Sequence, residues 1–370
     1  MKRLIYVTLA LWLTTAVVQA NAMSWVDTSP HTESFVKANG VTLEYLDWGG
    51  AGEALILLHG SGDNPHVFDD LAPAFTDRFH VIAYARRGHG RSEARPPYDT
   101  ATLTEDLRGL MDALGISKAC LVGWSLGGNE ITAMAALHPE RVDKLVYLDA
   151  GYDWADPDYE RAFHAIPPEL FDTPAPAMKS LDAYIAYEKA SDYTQLDDIR
   201  RIEAYLDETV VVRPDGSVQP RMSADVMAAL TASLWTNPPR DYRRIRAPAL
   251  AIFASSMVDV KGADVTRRQQ GRAWEQKYMA PFRAKSVARI ERELANVQVL
   301  RVPGAHDSFF LTSRAQVVKA MRQFLLDQRP SGAADSCTAS PFQKCQMMSQ
   351  PKNQRFPAVP LSNAATSSAR

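Results

Sequence analysis

The stretch CLVGWSLGGNEITAM, from Cys120 to Met134, packs an apolar strand, a Gly-x-Ser-x-Gly turn and the start of a helix into a single run. Leu121 and Val122 suit a strand covered on both faces, and Gly123, Gly127 and Gly128 are small enough for a sharp strand-to-helix turn. Such a turn lifts the Ser125 hydroxyl out of the sheet and leaves it at a helix N-terminus. There the N–H of Leu126 is available to a developing oxyanion. Five residues alone specify no more than a tight packing turn, so the flanking segments have to supply partners for the serine.

Working outward, apolar strands alternate with helical patterns. Phe35 to Trp48 alternates about Asn39-Gly40, a dipeptide that favours a two-residue hairpin turn. The run ALILLHGSGDNP, residues 54 to 65, reads as a strand ending at His59-Gly60, with a helix expected from Pro65 to about Phe75. A strand from His80 to Ala85 leads into RRGHGRS, whose arginines read as solvated. Thr102 and Glu105 form a capping box for a helix ending near Gly115. After the serine turn, a helix runs to Leu137 and a strand from Lys144 to Asp149. Alternation of this kind predicts an α/β fold with a parallel sheet and helices on both faces.

The alternation stops between 152 and 246, where amphipathic patterns such as LDAYIAYEKA surround a hairpin at VVVRPDGSVQP. This stretch is expected to be a mainly helical cap inserted between two parts of one core, 33–151 and 247–327. In the second part ALAIFA and VQVLRV are strands, Thr266 to Leu294 is largely helical and Ser308 to Leu326 closes the core.

The 41 basic and 43 acidic side chains nearly cancel. No one-signed field points to nucleic acid or an anionic membrane. Residues 1–22 have the form of a secretory signal: Lys2 and Arg3, an apolar core from Leu4 to Val18, and Ala20-Asn21-Ala22 as a cleavage site. Export to the periplasm or medium is therefore expected, with no membrane span remaining after cleavage. Residues 328–370 lack apolar periodicity and are expected to be a disordered tail. Of the three cysteines, Cys120 reads as a small buried hydrophobe, whereas Cys337 and Cys345 lie in the tail, where an oxidising compartment could pair them.

A serine becomes a nucleophile when a base takes its proton and a carboxylate holds that base in one tautomer. His306 follows the last strand through Pro303-Gly304-Ala305 and so emerges at the same sheet edge as Ser125. Asp259 follows the Ala249–Ala254 strand and is the expected acid. Asp149, at the end of the strand after the serine helix, is the alternative, ahead of Asp153 and Asp264.

His59-Gly60-Ser61-Gly62, the RRGHGRS loop, GWSLGG and the late PGAH together resemble the α/β-hydrolase-fold enzymes of the small esterase and haloperoxidase-like group. The resemblance covers most of 33–327. It implies an eight-stranded, mostly parallel sheet, a helical cap, a Ser-His-Asp triad, and an oxyanion hole from the N–H groups of Ser61 and Leu126. Two positions depart from the family pattern: Ala85 stands where an Asp usually begins the loop, and the segment after Ala254 lacks the common Gly-x-x-Asp spacing.

Serine at 125 argues against the relatives that use an aspartate nucleophile. Hydrolysis of a small carboxylic ester through an acyl-enzyme is the first expectation. A perhydrolase or carbon–carbon bond hydrolase on the same triad is the second, and a non-catalytic binding protein using Tyr152, Trp154, Phe163 and Tyr184 is the third. No metal or organic cofactor is expected, since the sequence shows no compact ligand spacing.

Overall fold

A computed structural model describes residues 29–170, 174–191, 193–259 and 265–327. The expected signal segment, the tail with Cys337 and Cys345, and Asp264 lie outside them.

The core is an eight-stranded sheet. Its strands in chain order are β1 (Thr32–Ala38), β2 (Val41–Gly49), β3 (Glu53–Leu58), β4 (Phe79–Tyr84), β5 (Ala119–Trp124) and β6 (Val142–Leu148), which precede the inserted region, followed by two more after it. Helices α1 (Thr100–Ala113) and α2 (Gly127–Leu137) connect β4 to β5 and β5 to β6. The inserted region holds α3 (Pro157–His164), α4 (Leu181–Ser191), α5 (Glu203–Thr209), a hairpin of β7 (Val210–Val212) and β8 (Val218–Pro220), and α6 (Ala224–Thr236). The core resumes with β9 (Ala249–Ser256), α7 (Val265–Trp274), α8 (Ala280–Glu293), β10 (Val297–Ala305), α9 (Phe309–Thr312) and α10 (Arg314–Leu325). Sheet order is β1-β2-β4-β3-β5-β6-β9-β10, with antiparallel pairing of β1 with β2 and of β2 with β4 and parallel pairing elsewhere. This is the α/β-hydrolase fold.

The unbroken apolar runs are explained by helices on both faces. In β3, Leu55 and Leu57 enter one hydrophobic cluster while Ile56 and Leu58 enter the other, and all four are buried. Each such side chain contributes about 1.5–3 kcal/mol by leaving water. Cys120 is buried likewise, and desolvation pushes its thiol up to about 12. Asn39 and Gly40 both take positive φ, which the two-residue hairpin turn between β1 and β2 requires.

Local departures from the sequence expectations have identifiable causes. The helix expected from Pro65 is two 3-10 turns, Pro65–Phe68 and Ala72–Phe75. Pro73 has no N–H for a continuing helical ladder. α1 begins earlier than the capping box predicts, because Asp99 accepts the Thr102 N–H at 2.9 Å. Glu105 instead binds Arg108 and His138.

The serine turn is built by three close backbone approaches. A Cβ on Gly123 would lie 2.6 Å from the Gly127 carbonyl carbon, one on Gly127 2.5 Å from the Leu58 oxygen, and one on Gly128 2.4 Å from the Ala150 oxygen. Gly128→Ala should therefore destabilise the protein by about 1–3 kcal/mol or more through overpacking. Urea denaturation is the measurement, and an unchanged midpoint would show that α2 can back away from Ala150.

Candidate active site

Parallel strands deliver their C-terminal ends to one edge, and the chain turns there place the chemistry-bearing side chains together. Ser125 follows β5 with φ 52° and Asp149 follows β6 with φ 44°, two of the three left-handed non-glycine residues among those described. Strain of this kind persists where surrounding contacts over-determine it. Here the Ser125 N–H donates to the Leu148 carbonyl at 3.3 Å, and the Asp149 N–H to the Ile252 carbonyl at 2.7 Å.

His306, just beyond β10, is buried, and its Nδ1 lies 2.7 Å from Asp149 Oδ2. That contact assigns the proton to Nδ1 and leaves Nε2 as the ring acceptor. The other oxygen, Asp149 Oδ1, accepts from the Tyr152 hydroxyl at 2.6 Å and the Ala254 N–H at 3.1 Å. Tyr152 in turn accepts from Arg283 Nε at 3.1 Å, and Arg283 pairs with Glu275 at 2.7 Å. The carboxylate is thus held on both oxygens, and its orientation toward the imidazole is fixed. Burial alone would pull the His306 pKa down. The Asp149 hydrogen bond and charge, with weaker contributions from Asp307 and Asp63, outweigh it and leave the pKa raised.

The carboxylate that contacts His306 is not the one expected from sequence. Asp259 accepts from Thr194 Oγ1 at 3.2 Å and Gln195 Nε2 at 3.1 Å, whereas the carboxylate on His306 is that of Asp149. β6 lies directly beside β9, so a residue leaving β6 in a left-handed turn can use the Ala254 N–H as a rest and still reach the loop after β10. Asp153, a further candidate, is paired with Arg289 at 2.6 Å and accepts the Arg240 N–H.

Gly60 brings the His-Gly-Ser-Gly turn against the serine, since a Cβ there would lie 3.3 Å from Ser125 Cβ. Ser61 is exposed and Leu126 buried. Leu126 joins Tyr98, Leu103, Val226 and Leu230 in a cluster that seats α6 over the serine turn. Of the arginines of RRGHGRS, Arg91 is exposed as expected, whereas Arg86 and Arg87 are buried. Arg86 donates to the carbonyls of Gly60 at 2.7 Å and His59 at 2.6 Å and pairs with buried Glu130 at 2.7 Å, while Arg87 pairs with buried Asp106 at 2.6 Å.

Trp124, Asp63 and Asp307 escape a reading of the sequence, and Trp154, expected only as a pocket aromatic, contacts the backbone of the serine turn. Trp124 Nε1 donates to the His306 carbonyl at 3.1 Å and Trp154 Nε1 to the Ser125 carbonyl at 3.3 Å, so two indoles brace the backbones of His306 and Ser125. Asp63 and Asp307 add negative charge beside His306. Burial, opposed by a 2.6 Å hydrogen bond from Tyr205 and reinforced by Asp307, pushes Asp63 up to about 7. Asp307 is raised by burial against the pull of His306 and with repulsion from Asp149 and Asp259. Their neighbours in chain order, a Gly-rich turn and a histidine, carry no signal that a carboxylate will be held there.

Comparison with known proteins bears on this arrangement. Residues 53–182 match a family model described as the α/β hydrolase fold. A protein of Caulobacter segnis named provisionally as a carbamate hydrolase, RutD, is 38% identical over 129 residues, which are 34% of this chain and 48% of the relative. The chain thus spans about half the length of this relative. The 2-(acetamidomethylene)succinate hydrolase of Mesorhizobium japonicum is 27% identical over 59% of this chain and 76% of its own. Among solved structures, that of an E-2-(acetamidomethylene)succinate hydrolase superposes with a TM-score of 0.62 at 24% identity, covering 80% of this chain and 100% of the other.

Proposed function

We propose, from the premise that the chain belongs to the α/β-hydrolase superfamily, that it is a serine hydrolase cleaving a small carboxylic ester. Ser125 is the nucleophile, His306 the general base and acid, and Asp149 the residue that orients and stabilises the imidazolium. The observation that carries this is the His306–Asp149 contact at 2.7 Å on the sheet edge where Ser125 occupies its left-handed turn. Attack of Ser125 Oγ on the acyl carbon passes its proton to His306 Nε2. The oxyanion is met by the N–H groups of Leu126 and Ser61, and the protonated imidazole releases the alcohol. Water then repeats the sequence and frees the acid. The terminal sequence supports export of this activity from the cytoplasm.

The test is labelling with a fluorophosphonate and turnover of p-nitrophenyl esters of graded acyl length. A Ser125 adduct with ester turnover is expected, and a folded protein that neither labels nor turns over would overturn the proposal. The relative that acts on 2-(acetamidomethylene)succinate suggests amide-bearing substrates as a second arm of the same screen.

The pH profile follows from the base. His306 must be neutral to take the serine proton, and its pKa is raised, so kcat/KM should fall as pH drops through a value above about 6.5. Asp307→Asn removes a charge that favours the imidazolium and should move that acid limb to lower pH. A limb that stays in place would show that Asp307 is screened from the imidazole.

A further inference from the structure

We propose that His31, His66 and Asp69 form a site for a divalent transition metal, Zn²⁺ being the ion of first choice. Donor atoms of the three lie within 4.8 Å of one another. His66 Nδ1 is 2.9 Å from Asp69 Oδ2, and His31 Nε2 is 3.3 Å from Asp69 Oδ1. A tetrahedral site with bonds of about 2.0–2.1 Å has edges of roughly 3.4 Å, so small side-chain rotations bring the set onto one ion. Two imidazoles and one carboxylate suit Zn²⁺, Co²⁺, Ni²⁺ or Cu²⁺, and they do not suit Ca²⁺ or Mg²⁺, which take oxygen ligands.

The surroundings favour a fixed site over a chance meeting of surface groups. The three side chains are 7%, 8% and 8% exposed. The Trp48 and His31 rings meet edge to face with centroids 5.2 Å apart, and the two imidazoles lie 5.1 Å apart by centroid. His66 stands in the turn Pro65–Phe68, where its own N–H donates to Asn64 Oδ1 at 3.0 Å, while Asn64 Nδ2 donates to the Tyr205 carbonyl at 3.0 Å. Asp69 closes that turn, its N–H donating to the His66 carbonyl at 3.0 Å. The sequence hides the set because His31 comes from just before an edge strand and the other two from the segment between β3 and β4.

Binding requires no redox step. Each imidazole gives the metal the nitrogen that now faces Asp69, and its remaining proton moves to the opposite ring nitrogen, where it can meet another acceptor. An ion there would tie the start of β1 to the segment that runs on from Ser61, and its effect would be on stability and loop order. It takes no part in the ester chemistry proposed above.

The experiment uses the mature chain without an affinity tag, stripped with a chelator. Calorimetric titration with Zn²⁺ should give one site of micromolar or tighter Kd, and the melting temperature should rise by several degrees at saturating metal. His66→Gln and Asp69→Asn should each weaken binding at least tenfold and abolish that rise. Should either fail to fold, His31→Gln, just before an edge strand, carries the same test. Ca²⁺ or Mg²⁺ at equal concentration should leave the melting temperature unchanged. Absence of Zn²⁺ binding, equal response to Ca²⁺, or binding undiminished in the variants would overturn the site. The last outcome would point to the other cluster of donor atoms among the described residues, Glu53, Cys120 and Asp143.

Discussion

Asp149→Asn should lower kcat by about 10⁴ with the fold intact, while Asp259→Asn should stay close to the parent. The difference follows from what each carboxylate touches. Asp149 holds His306 Nδ1 at 2.7 Å, and an amide in its place can present its NH₂ to that nitrogen, which stabilises the wrong tautomer. It also removes the charge that balances the imidazolium during attack, several kcal/mol of barrier in all. Asp259 is engaged by Thr194 and Gln195, so an amide there disturbs a loop and leaves the base alone. Ser125→Ala sets the floor of residual turnover and should be measured beside both. Steady-state kinetics with a p-nitrophenyl ester, together with circular dichroism of each variant, separates loss of chemistry from loss of fold. If Asp259→Asn falls to the Ser125→Ala floor and Asp149→Asn does not, the acid assignment is reversed. Tyr152→Phe should sit between them, since it releases one contact on Asp149 Oδ1 while the Ala254 N–H keeps the other.

The parts of this site that are legible in the sequence are those whose chemistry is carried by local pattern. The glycines around Ser125 announce a close approach because a Cβ at 123, 127 or 128 has no room, and the structure gives the atoms that forbid it. The position of β5 follows from an apolar run covered on both faces and that of β10 from its apolar-rich VQVLRV segment near the end of the core, so the common edge of Ser125 and His306 can be read from the sequence. The choice between Asp149 and Asp259 depends on something no run of residues encodes. It rests on a φ of 44° at the end of β6 and on which neighbouring strand offers an N–H to the carboxylate. The burial of Arg86 and Arg87 is hidden for a related reason: a loop rich in arginine and glycine looks solvated until Glu130 and Asp106, on two separate helices, are seen to meet it. Asp63 is hidden because its partner, Tyr205, belongs to α5 in the inserted region.

The buried pair of Arg86 and Glu130 should produce the largest change in stability of any single substitution outside the hydrophobic clusters. Arg86 is 1% exposed and Glu130 0%, and removal of one partner strands the other charge in a desolvated place, at a cost of about 3–5 kcal/mol. Glu130→Gln should therefore lower the urea midpoint strongly. It leaves the guanidinium in place over the carbonyls of His59 and Gly60, so the folded fraction should keep much of its kcat. Arg86→Met should destabilise at least as much, because those two carbonyls and the Glu130 carboxylate all lose a donor. It should also lower kcat, since Gly60 carries Ser61, whose N–H is one of the two proposed oxyanion donors. Loss of one such donor costs about 10²–10³ in kcat, and a displaced donor should cost some part of that. The two variants thus divide the roles of one ion pair, with Glu130 neutralising a buried charge and Arg86 anchoring the turn that faces Ser125. Equal kcat in folded Arg86→Met and in the parent would mean that the turn is held by its other contacts, among them the packing of Asp63 against Gly60 and the hydrogen bond from Tyr205 to Asp63.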